Sequence, residues 1–152
     1  MNTIRQLLDQ YGVSHRNPIN KTIHWICVPL IMWSLLGVLW LIPIPAGIVM
    51  LNGAIIVSIA ALIYYLNLSP VLAAGMLPVV AVMLAIIHAV DGSGIRLWVV
   101  CGIVFVLAWI GQFIGHAIEG RRPSFIEDVR FLLIGPLWLL AFVYKKLGIR
   151  IQ

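Results

Sequence analysis

Five apolar runs, separated by short polar or proline-containing breaks, organise this chain. Ahead of them, residues 3–14 read TIRQLLDQYGVS and place Ile4, Leu7, Leu8 and Tyr11 at i, i+3, i+4 and i+7. That is one stripe of an amphipathic helix, with Arg5, Gln6, Asp9 and Gln10 off the stripe and Gly12 at its end. The polar stretch HRNPINKTIH follows, broken at Asn17-Pro18. The first long run covers residues 23–42, with Asn20 as its expected N-cap. PIPA at 43–46 reads as a tight turn, and a second run covers 47–66. NLSP at 67–70 sets Ser69 to open a helix whose first residue is Pro70, and a third run covers 71–90. DGSG at 91–94 precedes a fourth run over 95–118, and EGRRPSFIEDVR at 119–130 is the longest polar segment. Each of these four runs approaches the roughly 20 residues needed to cross about 30 Å of hydrocarbon. The fifth, 131–144, contains Gly135-Pro136 and is short for a span, so it reads as a re-entrant element or short fifth helix.

Composition agrees with the pattern. Hydrophobic residues make up 62 % of the 152 and charged residues 10 %, against ~45–50 % and ~25 % in a soluble domain. So few charges cannot cover a soluble surface, which excludes an ordinary soluble domain and a nucleic-acid binder. The net charge of +5 instead suits the anionic face of a bilayer. The expected fold is an all-α integral membrane protein. It forms a single membrane domain over residues 1–152, with four transmembrane helices, the N-terminal amphipathic helix and the short C-terminal element. Four crossings put nine Lys/Arg on one side and only Arg96 on the other, whereas five crossings split them six against four. The positive-inside tendency therefore favours four, with both termini cytoplasmic. A bacterial inner membrane is the expected location, with the endoplasmic reticulum as the second choice. Cys27 and Cys101 lie inside apolar runs without CxxC spacing and read as small buried hydrophobes.

This topology sorts the polar residues. His15 and His24 lie at the entrance to the first span and His116 at the exit of the fourth, so the three share one depth. His88 lies near the opposite end of the third span and joins them only if that span is tilted, displaced or broken. Gln112, His116 and Glu119 form one stripe at i, i+4 and i+7, while Asn20 and His24 share a face at i, i+4. Such a stripe in lipid costs energy unless it is paired or solvated. Three explanations stand side by side. The residues can be interfacial hydrogen-bonding anchors. They can bind a metal, with three imidazoles, or two plus Glu119, as ligands and Asn17, Asn20 and Gln112 orienting the rings. Or two histidines can be axial ligands to haem. The corresponding functional classes are an enzyme, a membrane scaffold or carrier, and a haem protein. The tryptophans read as interface anchors, and Gly111 with Gly115 forms a GxxxG pair suited to close helix contact.

Two motifs carry a resemblance. YGVSHRNPINKTIHWICVP contains Tyr11, His15, Asn17, Asn20, His24 and Pro29, and WIGQFIGHAIEGRRPSF contains Gln112, Gly115, His116, Glu119, Arg122 and Pro123. Together they resemble the 2-hydroxy fatty acid dioxygenase family of the yeast fatty acid α-oxidation type, over nearly the whole chain. The resemblance implies an iron(II)-dependent dioxygenase that consumes O₂ and converts a 2-hydroxy fatty acid to the acid one carbon shorter. It implies His15, His24 and His116 as iron ligands. His88 and Glu119 stand as possible further ligands, and Arg121 or Arg122 as the partner of the substrate carboxylate.

Overall fold

The computed structural model describes residues 4–13, 15–46, 49–120 and 131–151. Among these, helix α1 (Ile4–Gly12) is followed by α2 (Pro18–Trp40), strands β1 (Pro43–Ala46) and β2 (Val49–Asn52), and helices α3 (Gly53–Leu68), α4 (Pro70–Asp91), α5 (Leu97–Ile118) and α6 (Ile134–Lys146). Helices α2, α4 and α5 are each long and apolar enough to cross a membrane. The outer faces of α4 and α5 expose Val79, Val82, Ile86, Ile103, Val106 and Leu107. That continuous apolar exterior suits lipid rather than water.

Local chemistry moves two boundaries from their expected places. The first long helix begins at Pro18, not Ile23. Asn17, extended at φ −67° and ψ 129°, caps it by accepting from the Ile19 N–H, with Pro18 at the first helical position. Asn20, expected as the cap, lies inside the helix and is fully buried. The second correction concerns the run over 47–66. PIPA is not a tight turn but a strand, paired antiparallel with β2 in the register Pro43↔Asn52 to Ala46↔Val49. The helix starts only at Gly53, because the Asn52 side chain accepts from the Ile55 N–H and caps it. Helix α3 is thus 16 residues long, about 24 Å at 1.5 Å per residue. It is shorter than the three long helices and shorter than the span read from composition.

The pairing of α2 with α5 determines where the site forms. The two run antiparallel along a seam of small residues. A Cβ added to Gly37 would collide with the Cys101 sulfur, one on Gly111 would meet the Cys27 sulfur, and one on Gly115 would collide with Asn20. Close backbone approach at these three levels is possible only without side chains. Cys27, Ile31, Ala108 and Trp109 fill the middle of the seam. Both cysteines are buried and unbridged.

A second core lies at the end where α2 begins and α5 ends. There Ile4, Leu8 and Tyr11 of α1 pack with Ile134 and Leu137 of α6, with Leu72, Ala73 and Met76 of α4, and with Tyr65. The amphipathic stripe of α1 therefore faces the protein. Pro136 is accommodated in the first turn of α6, where no helical N–H is lost. Tyr65 donates its hydroxyl to the Leu133 carbonyl at 2.9 Å, and Ser69 donates to the Ile151 carbonyl at 2.7 Å, so the C-terminal segment is tied to the α3–α4 corner.

Candidate metal centre

Three buried histidines meet where α1, α2 and α5 converge. His15 follows α1, His24 stands in the second turn of α2, and His116 in the last turn of α5. One ring nitrogen from each lies within 4.8 Å of the other two. Ring centroids are 4.1 Å apart for His15 and His24, 5.1 Å for His24 and His116, and 5.7 Å for His15 and His116.

The backbone sets the tautomers. His15 Nδ1 lies 2.7 Å from the Tyr11 carbonyl oxygen, and His24 Nδ1 lies 3.0 Å from the Asn20 carbonyl oxygen. A carbonyl oxygen only accepts, so each Nδ1 carries the proton and each neutral ring presents the Nε2 lone pair. An outer-shell carbonyl of this kind fixes the orientation of metal-binding imidazoles and raises their basicity. Neutral nitrogen donors suit iron, zinc, copper or nickel. Three nitrogens about 2.1 Å from one ion lie roughly 3.0–3.6 Å apart, so nitrogens already within 4.8 Å of one another need only small ring movements to close on an ion, and the residues fit a three-histidine site. They do not suit a pair of axial haem ligands. With all three rings mutually within 5.7 Å, the third occupies the space a macrocycle between the other two would need.

Glu119 holds the ends of the chain together. Its Oε1 accepts from the Arg16 N–H at 2.8 Å, its Oε2 from the Asn17 N–H at 2.9 Å, and its Oε2 from the Asn20 amide at 3.0 Å. A carboxylate at the N-terminus of α2 also meets the positive end of the helix dipole. Partial burial alone would raise its pKa. The hydrogen bonds from Asn20, Asn17 and Arg16, together with the nearby His15, outweigh that and hold the carboxyl below its ordinary range. Asn20 reaches this carboxylate because Gly115 leaves room for it. One residue thus links Glu119 to His24.

The remaining expected site residues fall in different places. Gln112 is buried one turn before His116, and its Oε1 has no hydrogen-bond partner among the described residues. Asn17 serves as the α2 cap. Among the described residues neither His88 nor Glu119 joins the three-histidine group. His88 lies in the last turn of α4 at the far end of the bundle, 5.9 Å from the Trp40 ring, where Trp40 donates to Asp91. Arg121 and Arg122 lie outside the described residues.

Two aromatic residues belong to the site that the sequence placed elsewhere. Tyr11 stacks on His15 at 4.3 Å with a 13° interplanar angle. Trp138, expected as an interface anchor, packs 5.4 Å from His15 and 5.5 Å from Tyr11. The i, i+4 spacing of Tyr11 and His15 offered a signal for the first; nothing in the sequence offered one for Trp138. Trp109, also expected at an interface, is buried in the α2–α5 seam.

Fold and site together define an all-helical, membrane-type protein with a buried three-histidine centre where the two ends of the chain meet. The chain belongs to the 2-hydroxy-palmitic acid dioxygenase Mpo1-like family, whose model matches residues 1–147. Over 149 residues it is 33 % identical to the 2-hydroxy-palmitic acid dioxygenase MPO1 of Saccharomyces cerevisiae, covering 95 % of this chain and 82 % of that protein. No solved structure matches the chain.

Proposed function

We propose that this protein is an iron(II)-dependent dioxygenase that cleaves 2-hydroxy fatty acids to the acid one carbon shorter, with His15, His24 and His116 as the iron ligands. The observation that carries this reading is the convergence of three buried imidazoles, two of them with Nδ1 bound to backbone carbonyls. Three protein ligands leave open positions on an octahedral ion, and iron(II) there would supply the binding and activation of O₂. The yeast relative's name, a dioxygenase of 2-hydroxy-palmitic acid, supports O₂ as co-substrate and a long-chain 2-hydroxy acid as substrate. Among the metals imidazole suits, iron(II) with open coordination positions is the one that non-haem oxygenases use for O₂.

The chain's own groups take the remaining roles. Gln112 Oε1, buried beside the histidines, accepts a hydrogen bond from the substrate 2-hydroxyl. Arg121 or Arg122 pairs with the carboxylate. Glu119 and Asn20 are positioning residues that hold the start of α2 against the end of α5. Tyr11 and Trp138 shield the His15 ring from water.

The topology belongs to the same proposal. Because the start of α2 meets the end of α5, an even number of crossings separates them. With α4 long enough to cross, α3 must carry the chain back, which supports four crossings with both termini cytoplasmic. A bacterial inner membrane remains the preferred location.

The test is anaerobic iron(II) reconstitution of the detergent-purified protein, followed by oxygen uptake with 2-hydroxypalmitate. Uptake matched by release of the acid one carbon shorter supports the proposal. Full iron loading with no uptake on any 2-hydroxy acid contradicts it.

A further inference from the structure

An apolar groove of about 430 Å³, half open to the outside of the bundle, runs between α2, α3 and α5, with residues 132–136 at the end nearer the histidines. Its walls are apolar side chains such as Leu35, Leu36, Val57, Ala61 and Phe105. Three polar groups line it: the Ser34 hydroxyl donates to the Ile31 carbonyl, the Tyr65 hydroxyl donates to the Leu133 carbonyl, and the buried Ser58 hydroxyl has no hydrogen-bond partner among the described residues. Volume and lining fall within the range of small-molecule sites, about 300–1,000 Å³.

The groove does not stand apart from the histidines. A much smaller cavity of about 20 Å³ is lined by Tyr11, Trp109, Gln112 and Leu132, among others. Leu132 lines both. Tyr11 stacks on His15, and Gln112 precedes His116 by one turn. Leu132 is thus the partition between the small cavity beside Tyr11 and Gln112 and the large apolar groove, and a turn of its side chain would join them. The opposite direction from the histidines, toward Glu119 and Arg16, is polar.

We propose that this groove holds the hydrocarbon tail of the substrate and that its far end, beside Gly102, sets the longest chain accepted. The inference rests on the dioxygenase reading only for the identity of the polar head at the histidines. Length supports it: fifteen residues of α2 separate His24 from Leu39, which lines the groove, about 22 Å of helix. Gly102 lies at the level of Gly37, the end of the α2–α5 seam remote from His116, since Cys101 meets Gly37 and Gly115 meets Asn20. A Cβ built on Gly102 finds nothing within 4 Å. A side chain there grows into open space, and replacing a helical glycine does not weaken the helix.

Gly102→Phe is the test variant, and Ala85→Phe on the exposed face of α4 is its bulk-matched control. Each is read in two ways. The first is a ladder of 2-hydroxy acids of increasing length with iron-loaded protein. G102F should lose roughly tenfold or more in kcat/KM on 2-hydroxypalmitate while shorter acids are retained, the scale on which pockets discriminate methylenes. A85F should keep the parent profile. The second needs no turnover: a 2-hydroxy acid with a diazirine at its terminal carbon is photolysed in the protein. In the parent, label should fall on the far end around Val38, Val57 and Gly102, and in G102F it should move toward Leu35 and Phe105.

Label spread over the lipid-facing residues Ile103, Val106 and Leu107, or an identical length profile in G102F and parent, overturns the proposal while leaving the dioxygenase reading intact. Label at the far end without conversion of any 2-hydroxy acid supports the groove as the tail site and removes the dioxygenase reading instead.

Discussion

His24 and His116 face each other edge to plane, with ring centroids 5.1 Å apart and an interplanar angle of 89°. One stands near the start of α2 and the other near the end of α5, so their meeting depends on the antiparallel glycine seam between these helices. Replacing either by Ala should remove iron from the purified protein while leaving membrane insertion unchanged. The loss of activity should exceed the ~10–100-fold typical of an outer-shell partner. Metal analysis and oxygen uptake on membranes with matched protein content check both parts.

His88 gives the opposite expectation. It sits beside Trp40 at the far end of α4. H88A should retain the parent iron content and activity within about the twofold scatter expected of an exposed site, where substitutions stay within ±0.5 kcal/mol. Loss of iron from H88A, measured by the same metal analysis, would contradict the three-histidine assignment.

Glu119→Gln keeps the shape of the side chain but removes the charge from the N-terminus of α2. It should cost about 1.5–3 kcal/mol, the range for hydrogen bonds to a charged group, and speed amide exchange at Arg16 and Asn17. Because the folded carboxyl lies below its ordinary value of 4.5, its contribution is complete above that value and is lost as pH falls through the lowered one. Thermal stability followed downward from pH 6 should therefore fall in the parent and flatten in E119Q. Equal acid sensitivity in both would refute the clamp.

The glycine seam makes a graded prediction. Gly115→Leu forces α2 away from α5 at Asn20 and should cost about 1–3 kcal/mol as an overpacked core, with loss of iron at temperatures where the fold persists. Gly102→Ala, with open space around its Cβ, should leave iron content unchanged and raise stability by up to about 1 kcal/mol. Thermal melts with metal analysis separate the two.

Much of this arrangement was legible in the sequence. The stripe Ile4, Leu7, Leu8, Tyr11 gave α1, and the polar ends of the first and last long runs brought His15, His24 and His116 to one depth. Periodicity could not see that Asn52 would cap a helix and leave the residues before it to a strand, since an apolar run alone does not distinguish strand from helix. Nor could it show that Glu119 would accept backbone N–H groups from residues so distant in sequence. Trp138 reaches His15 only through the docking of α6 on α1, a tertiary contact without a local signature.

The most direct measurement is anaerobic iron(II) titration of the purified protein, with X-ray absorption used to count imidazole ligands. The account predicts saturation at about one iron per chain with three histidine nitrogens bound, and no binding in H24A or H116A. A parent protein that retains no iron, or that binds it equally well without those two histidines, would contradict it.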